Sequence, residues 1–201
     1  MRFFSISFLI LLPSFLFSTE IKLNETNNNF VITSKNTNSV SFVNYLSEIK
    51  AIKLKKNDQE FVKLLVDGYG ENTKSGYASL PVIEELLIVP DNSNISIQIE
   101  NIEEKIINLS DYNINQSLYP FQPSISKGED ISKVPFYFDN AYYSHKEFHI
   151  NKLVETKYLG KMRGQQLARL LISPFSYNPS NNQLKIVTKI EVKLTFKNIN
   201  I

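Results

Sequence analysis

The sequence predicts an all-β fold: a single antiparallel β-sandwich domain with jelly-roll-like connectivity. Three observations carry that class. Apolar and polar residues alternate with a period of two in the clearest segments. Clusters of glycine, proline and asparagine divide the chain into eight or so short apolar stretches. No segment shows the periodicity of a long amphipathic helix, and 201 residues suit one domain with a sizeable core.

The chain opens on Met1-Arg2, runs apolar from Phe3 to Phe17 and reaches Ser18-Thr19. An apolar run of about 15 residues is short of the roughly 20 that a membrane-spanning helix needs. Residues 1–18 therefore read as a signal peptide. The expectation is export to the periplasm, cell surface or surroundings of a bacterium, with no retained membrane anchor. Residues 19–38 are polar and asparagine-rich around Phe30-Val31-Ile32, and read as a loosely held leader. The folded domain is expected over residues 39–201.

Ser39 to Leu54 and Glu60 to Val66 mix β-branched and aromatic residues with lysine and serine, as strands do, and Asn57-Asp58 supplies a turn between them. Gly68, Gly70 and Gly76 punctuate a loop. Pro81 introduces an apolar run from Val82 to Val89, read as a buried strand that stops at Pro90. Ile95, Ile97 and Ile99 alternate with Ser96 and Gln98, as in a half-buried strand. Ser110 to Pro135 holds three prolines and little periodicity, so it is the longest loop. Gln166 to Ile172 is a strand closed by Pro174, and Asn178 to Asn182 is a turn. From Leu184 to Phe196, Leu184, Ile186, Ile190, Val192, Leu194 and Phe196 fall on one face, with Thr188 the only polar member.

Composition excludes several chemistries. Without cysteine there is no disulfide framework and no thiol nucleophile. No Gly-x-Ser-x-Gly elbow exists, and Gly68-Tyr69-Gly70 meets Thr73 where a dinucleotide fingerprint needs its third glycine. His145 and His149 would face one ion on a helical turn, but on a strand they stand about 13 Å apart, so they read as two surface histidines. Glu129-Asp130 reads as a solvated charge run. Removing residues 1–18 takes one base, Arg2, from 22 bases and 20 acids, which leaves a net charge of +1. Neither nucleic acid nor an anionic membrane is indicated as a partner. No cofactor, metal or small-molecule substrate is expected. The residues alone describe an exported, non-catalytic, β-rich binding or structural module.

Three segments carry a resemblance. They are Gly76-Tyr77-Ala78-Ser79-Leu80-Pro81-Val82; Tyr119-Pro120-Phe121-Gln122-Pro123-Ser124; and Tyr158 to Leu170 followed by Pro174-Phe175-Ser176-Tyr177-Asn178-Pro179 and the final strand. Together, over residues 65 to 197, they resemble the N-terminal pro-domain of gingipain-type cysteine peptidases. The signature positions are Gly76, Leu80, Pro81, Arg163, Gly164, Pro174, Tyr177, Asn178 and Pro179. Arg163-Gly164 also suits the start of a strand with close backbone approach, and Tyr177-Asn178-Pro179 suits any hairpin turn.

The resemblance implies a β-sandwich that packs against a cysteine peptidase catalytic domain, in cis or in trans. It would assist that domain's folding and occlude its cleft until cleaved off. Such enzymes favour basic side chains. The long middle loop contains Lys127 and Lys133, and Lys127, flanked by Gly128, is expected to enter the specificity pocket. The competing expectation is a free-standing secreted binding or adhesion module without inhibitory activity.

Overall fold

The computed structural model describes residues 18–25, 27–130 and 133–198. The reading of residues 1–18 as a signal peptide lies outside them, apart from Ser18. The strands are β1 (Ser18–Lys22), β2 (Asn29–Lys35), β3 (Ser39–Tyr45), β4 (Glu48–Lys56), β5 (Gln59–Leu65) and β6 (Gly70–Glu71). They continue as β7 (Pro81–Val89), β8 (Ser93–Asn108), β9 (Val154–Met162), β10 (Gln165–Ile172), β11 (Phe175–Asn178) and β12 (Gln183–Asn198). A 3-10 turn, Leu109–Tyr112, and one short helix, α1 (Asn140–Tyr143), complete them.

The strands form three antiparallel sheets. One has the order β1-β4-β5 and a second the order β6-β7-β10-β9. The third is built on β12, which has β8 along one edge while β11 and β3 share the other; β2 lies outside β3. Two turns close as the sequence chemistry suggests. Asn57 and Asp58, at φ 50° and 60°, join β4 to β5, and Asn92 (φ 51°) lies between β7 and β8. Asparagine and aspartate tolerate this left-handed region best after glycine.

Two apolar clusters hold the sheets together. The first joins Ile21, Leu46, Ile49, Val62 and Leu64 to Leu109, Leu118, Phe175, Tyr177, Leu184 and Ile186. The second joins Val40, Phe42, Ile83 and Val89 to Ala168, Leu170, Ile172, Val187, Ile190, Val192 and Leu194. β12 serves both clusters, and Thr188 is where it changes over. There the register with β8 shifts between Val187 and Lys189, a β-bulge. An extra residue reverses the alternation. Leu184 and Ile186 therefore fill the first cluster and Val187 and Ile190 the second, rather than one continuous face.

Other elements depart from the sequence reading. The segment 19–38 contains most of β1 and all of β2; Ile21 is fully buried in the first cluster and pairs with Ile49. β7 is buried at Pro81, Val82, Ile83 and Val89, while Leu86 and Ile88 are about 60% exposed. β8 runs well beyond the Ile95–Ile99 alternation. Arg163 (φ 51°) and Gly164 (φ 78°) do not start a strand but form the two-residue turn that joins β9 to β10.

Candidate functional site

The loop between the 3-10 turn and β9 is anchored before it projects. Its first stretch is laced between two parts of the first cluster. Val62 donates to Ser117 (3.0 Å), Tyr119 to Val62 (2.7 Å), Ser79 to Tyr119 (2.8 Å) and Phe121 to Tyr77 (2.7 Å). Gly76 binds both feet: its N–H donates to the Phe121 carbonyl (3.0 Å), and its own carbonyl accepts from Asp139 (3.1 Å). Gly76 has φ +80°, and a Cβ there would meet the Asp139 nitrogen at 3.2 Å, so both conformation and space call for glycine.

Gln122 clamps the neck. Its side-chain amide donates to the Tyr137 carbonyl (2.8 Å), and its Oε1 accepts from the Tyr137 N–H (2.9 Å). One side chain thus makes the pair of bonds that two paired strand residues would exchange. Pro123 restricts Gln122 to extended backbone, which directs the amide across the neck. Rings complete the anchor. Phe61, fully buried, has Tyr119 and Phe136 at 5.7 Å and Phe138 at 6.2 Å, and Phe138 stacks on Tyr143 at 4.2 Å. The Tyr143 hydroxyl donates to the Leu118 carbonyl (2.6 Å).

Beyond the neck the chain is exposed from Ser124 to Asp130. Its tip is a β-turn in which the Glu129 N–H donates to the Ser126 carbonyl (3.1 Å), while the Glu129 carboxylate accepts from the Ser126 N–H (3.1 Å). Lys127 and Gly128 occupy the two corner positions, and Gly128 at φ +94° satisfies the positive φ of a type II turn. Glu129 therefore closes the turn rather than forming a catalytic acid pair with Asp130. Lys133 is 3.5 Å from Asp130, whereas Lys127 has neither an ion-pair nor a hydrogen-bond partner among the described residues.

The two histidines behave differently from extended-strand spacing. The chain turns back between them, so the rings lie 4.5 Å apart. His149 stacks on Tyr142 at 4.0 Å and donates from Nε2 to its carbonyl (3.2 Å). Tyr77 packs against both Tyr142 and His149, and the Lys74 ammonium sits 3.6 Å above the Tyr77 ring. Burial holds the His149 imidazole below its usual range; His145 and Lys74 add to this, and the Tyr142 carbonyl and Asp139 oppose it. No cluster of three metal-ligating side chains exists among the described residues.

Glu71 ties the loop base to β5 through Lys63 and the Ser79 hydroxyl (2.6 Å). Burial alone would raise its carboxyl, but these two donors outweigh burial and hold it below the usual carboxylate range.

Leu80 is buried, and Pro81 opens β7 opposite Glu71. The Pro174 carbonyl accepts from Val187 (2.8 Å). The Tyr177 ring is fully buried, its hydroxyl donates to Asn182 Oδ1 (2.9 Å), and burial pushes its pKa up to about 12. Asn178 donates to the Lys146 carbonyl (3.0 Å), and the Pro179 carbonyl accepts from Asn182 (3.3 Å). Arg163 and Gly164 lie far along β9 and β10 from the loop neck. Gln122 lies in the Tyr119–Ser124 segment that carries the resemblance, but no clamping role follows for it from the sequence, where the local signal is a glutamine bracketed by Pro120 and Pro123.

Comparison with known proteins finds the family Propeptide_C25, whose model matches residues 21–200. Lys-gingipain of Porphyromonas gingivalis is 28% identical over 180 residues, which cover 90% of this chain and 10% of that protein. Lys-gingipain HG66 of the same species is 30% identical over 151 residues, 75% of this chain and 9% of that protein. The chain thus spans about a tenth of the relatives it matches. A structure of gingipain K from P. gingivalis, solved for its zymogenic latency, is similar at a TM-score of 0.85 and 28% identity, over 90% of this chain and all of that one. A complex of the RgpB pro- and mature domains contains a similar fold at a TM-score of 0.70 and 14% identity, over 86% of each chain.

Proposed function

The chain belongs to the Propeptide_C25 family, and on that premise we propose that it is the exported, non-catalytic pro-domain that keeps a gingipain-type cysteine peptidase latent. It assists folding of the peptidase and occludes the cleft by offering Lys127 to the specificity pocket. The observation that carries this reading is the tip of the middle loop. Lys127 is exposed and has no ion-pair or hydrogen-bond partner for its side chain among the described residues, and it stands at the corner of a turn closed by Ser126 and Glu129.

Two physical features support it. A cation that gives up no ion pair in its own domain enters an acidic pocket at the least cost. Cleavage needs an extended segment threaded through the cleft, with the reacting atoms closely aligned. The Lys127–Gly128 bond is instead held in a tight turn above a neck clamped by Gln122, so the side chain can be bound while its peptide bond stays out of line. Lys133, already beside Asp130, is the weaker candidate. Export through residues 1–18 brings the domain to the compartment where such a peptidase works.

The test is inhibition of mature P. gingivalis Lys-gingipain by residues 19–201. Lys127→Ala is expected to weaken inhibition about 30-fold or more, the loss typical of a central anchor, without a change in thermal midpoint. An unchanged inhibition constant contradicts the role of Lys127. No inhibition by the wild-type domain contradicts latency and favours the free-standing binding module.

A further inference from the structure

Beyond Val82, which is buried, the outward face of the β6-β7-β10-β9 sheet carries no layer among the described residues, and its residues follow from the register. Ile83, Val89, Ala168, Leu170, Ile172 and Val154 point inward to the second cluster. The alternate positions therefore point out. They form the rows Glu84–Leu171–Glu155, Leu86–Arg169–Lys157 and Ile88–Leu167–Gly160, with Met162 opposite Gln165 beyond them. Leu86, Ile88 and Met162 are 60%, 62% and 58% exposed. Solvent-facing strands usually alternate apolar-in with polar-out. Here apolar side chains stand on the outside as well, with the Arg169–Glu84 ion pair (3.6 Å) beside them.

What meets this face at its two ends identifies an occupant. At the end carrying Glu84, Leu171 and Glu155, the face becomes the floor of a polar cleft of about 440 Å³ whose opposite wall includes Lys74, Tyr77, Tyr142 and His149. That wall is the anchored base of the Lys127 loop, joined to it through Gly76, Phe121 and Asp139. At the other end, Asn198 of β12 pairs with Ser93, and the Ser93 carbonyl accepts from the Tyr158 hydroxyl of β9. The family match runs to residue 200, so in a zymogen, where pro-domain and peptidase are one chain, the tether to the peptidase starts at that end. β7 spans the distance between, nine residues or roughly 30 Å at the strand rise.

We propose that this outward face, centred on Leu86, Ile88, Leu167 and Met162, is the seat of the peptidase domain, distinct from the loop that enters its cleft. A body held at the loop and at the tether lies along the strip between them. The strip supplies apolar contact from Leu86, Ile88, Leu167 and Met162 towards the β9–β10 turn, and the charges of Glu84, Glu155, Lys157 and Arg169 towards the cleft. The inference rests on the latency reading above, with a separate contact surface.

The two can be told apart with mature Lys-gingipain in two forms: free, and with its cleft capped by a covalent active-site inhibitor. The loop cannot enter a capped cleft, so binding to that form reports on the face alone. The wild-type domain is expected to bind both forms. Leu86→Asp/Ile88→Asp should weaken binding to each by tenfold or more, with an unchanged thermal midpoint, and Met162→Asp at the far corner should weaken both in the same sense. Lys127→Ala should weaken binding to the free form only. If the face variants bind both forms as the wild type does, the face is not the seat, whatever Lys127→Ala does. If they lose binding while Lys127→Ala loses nothing, the face stands and the loop reading falls. If the wild type binds neither form, both fall. If the face variants instead dissociate a dimer of the free domain, the face pairs two copies of this chain and the proposal is overturned.

Discussion

Gln122 does with one side chain what a strand neighbour would do with its backbone, and the projecting loop depends on that bond pair as much as on Lys127. The amide makes contacts with Tyr137, Pro120 and Phe121 that no other residue type reproduces in this geometry. Gln122→Ala leaves the ring anchor of Phe61, Phe136 and Phe138 intact. Global stability should fall by only about 1 kcal/mol, the usual worth of such bonds. Inhibition of Lys-gingipain should weaken severalfold, because the freed loop must be ordered on binding. Chemical denaturation and inhibition titration of the same variant separate the two effects. In the sequence, Lys127 and Gly128 stand out through the family resemblance, which implies a basic side chain in the specificity pocket, and because glycine marks a turn. Gln122 belongs to a segment that carries the same resemblance, but its clamp is defined by where residue 137 returns, which no local pattern encodes.

At the scale of elements, period-two alternation is legible where a strand keeps one face at least half-buried, as at Ile95 and Ile97, although Ile99 is 40% exposed. It misleads where a strand changes partners. Thr188 stood out only as the one polar member of an apolar face; in the fold it is the bulge that passes β12 from one cluster to the other. The apolar run Val82–Val89 suggested burial on both faces, but Leu86 and Ile88 point outward, and nothing in one sequence separates an apolar interface from an apolar core.

The segment from α1 to His149 is likewise opaque to periodicity, being held by stacked rings and by the Asp139 cap on Tyr142 (2.8 Å). It carries a pH dependence. His149 takes a proton less readily in the fold than in the unfolded chain, where the reference value is 6.5. Its contribution to stability is therefore fully present above that value and is lost as pH falls through the lower folded value. Thermal melts between pH 7 and 5.5 should show a falling midpoint in the wild type and a flatter profile in His149→Gln. Parallel profiles would contradict this.

For the whole molecule, fold class follows from the distribution of strand-like stretches and turn residues, whereas topology does not. That β1 belongs to the first cluster is invisible in the residues from 19 to 38, because one buried isoleucine, Ile21, and pairing to β4 decide it. The core divides into two clusters. The first, with Val62, Leu118 and Tyr177, underlies the base of the loop. The second supports the sheet whose outer side exposes Leu86, Ile88 and Met162. A rigid base matters because a loop that must be ordered on binding loses affinity to that ordering.

Latency as proposed here requires that the loop tip of this pro-domain occupy the cleft of a gingipain-type peptidase. Amide hydrogen exchange of residues 19–201, alone and with mature Lys-gingipain, probes that contact at the loop itself. The exposed amides from Ser124 to Asp130 should exchange rapidly in the free domain and slow markedly in the complex, with capping of the cleft abolishing the protection. Unchanged exchange across those residues in a stable complex would contradict the account.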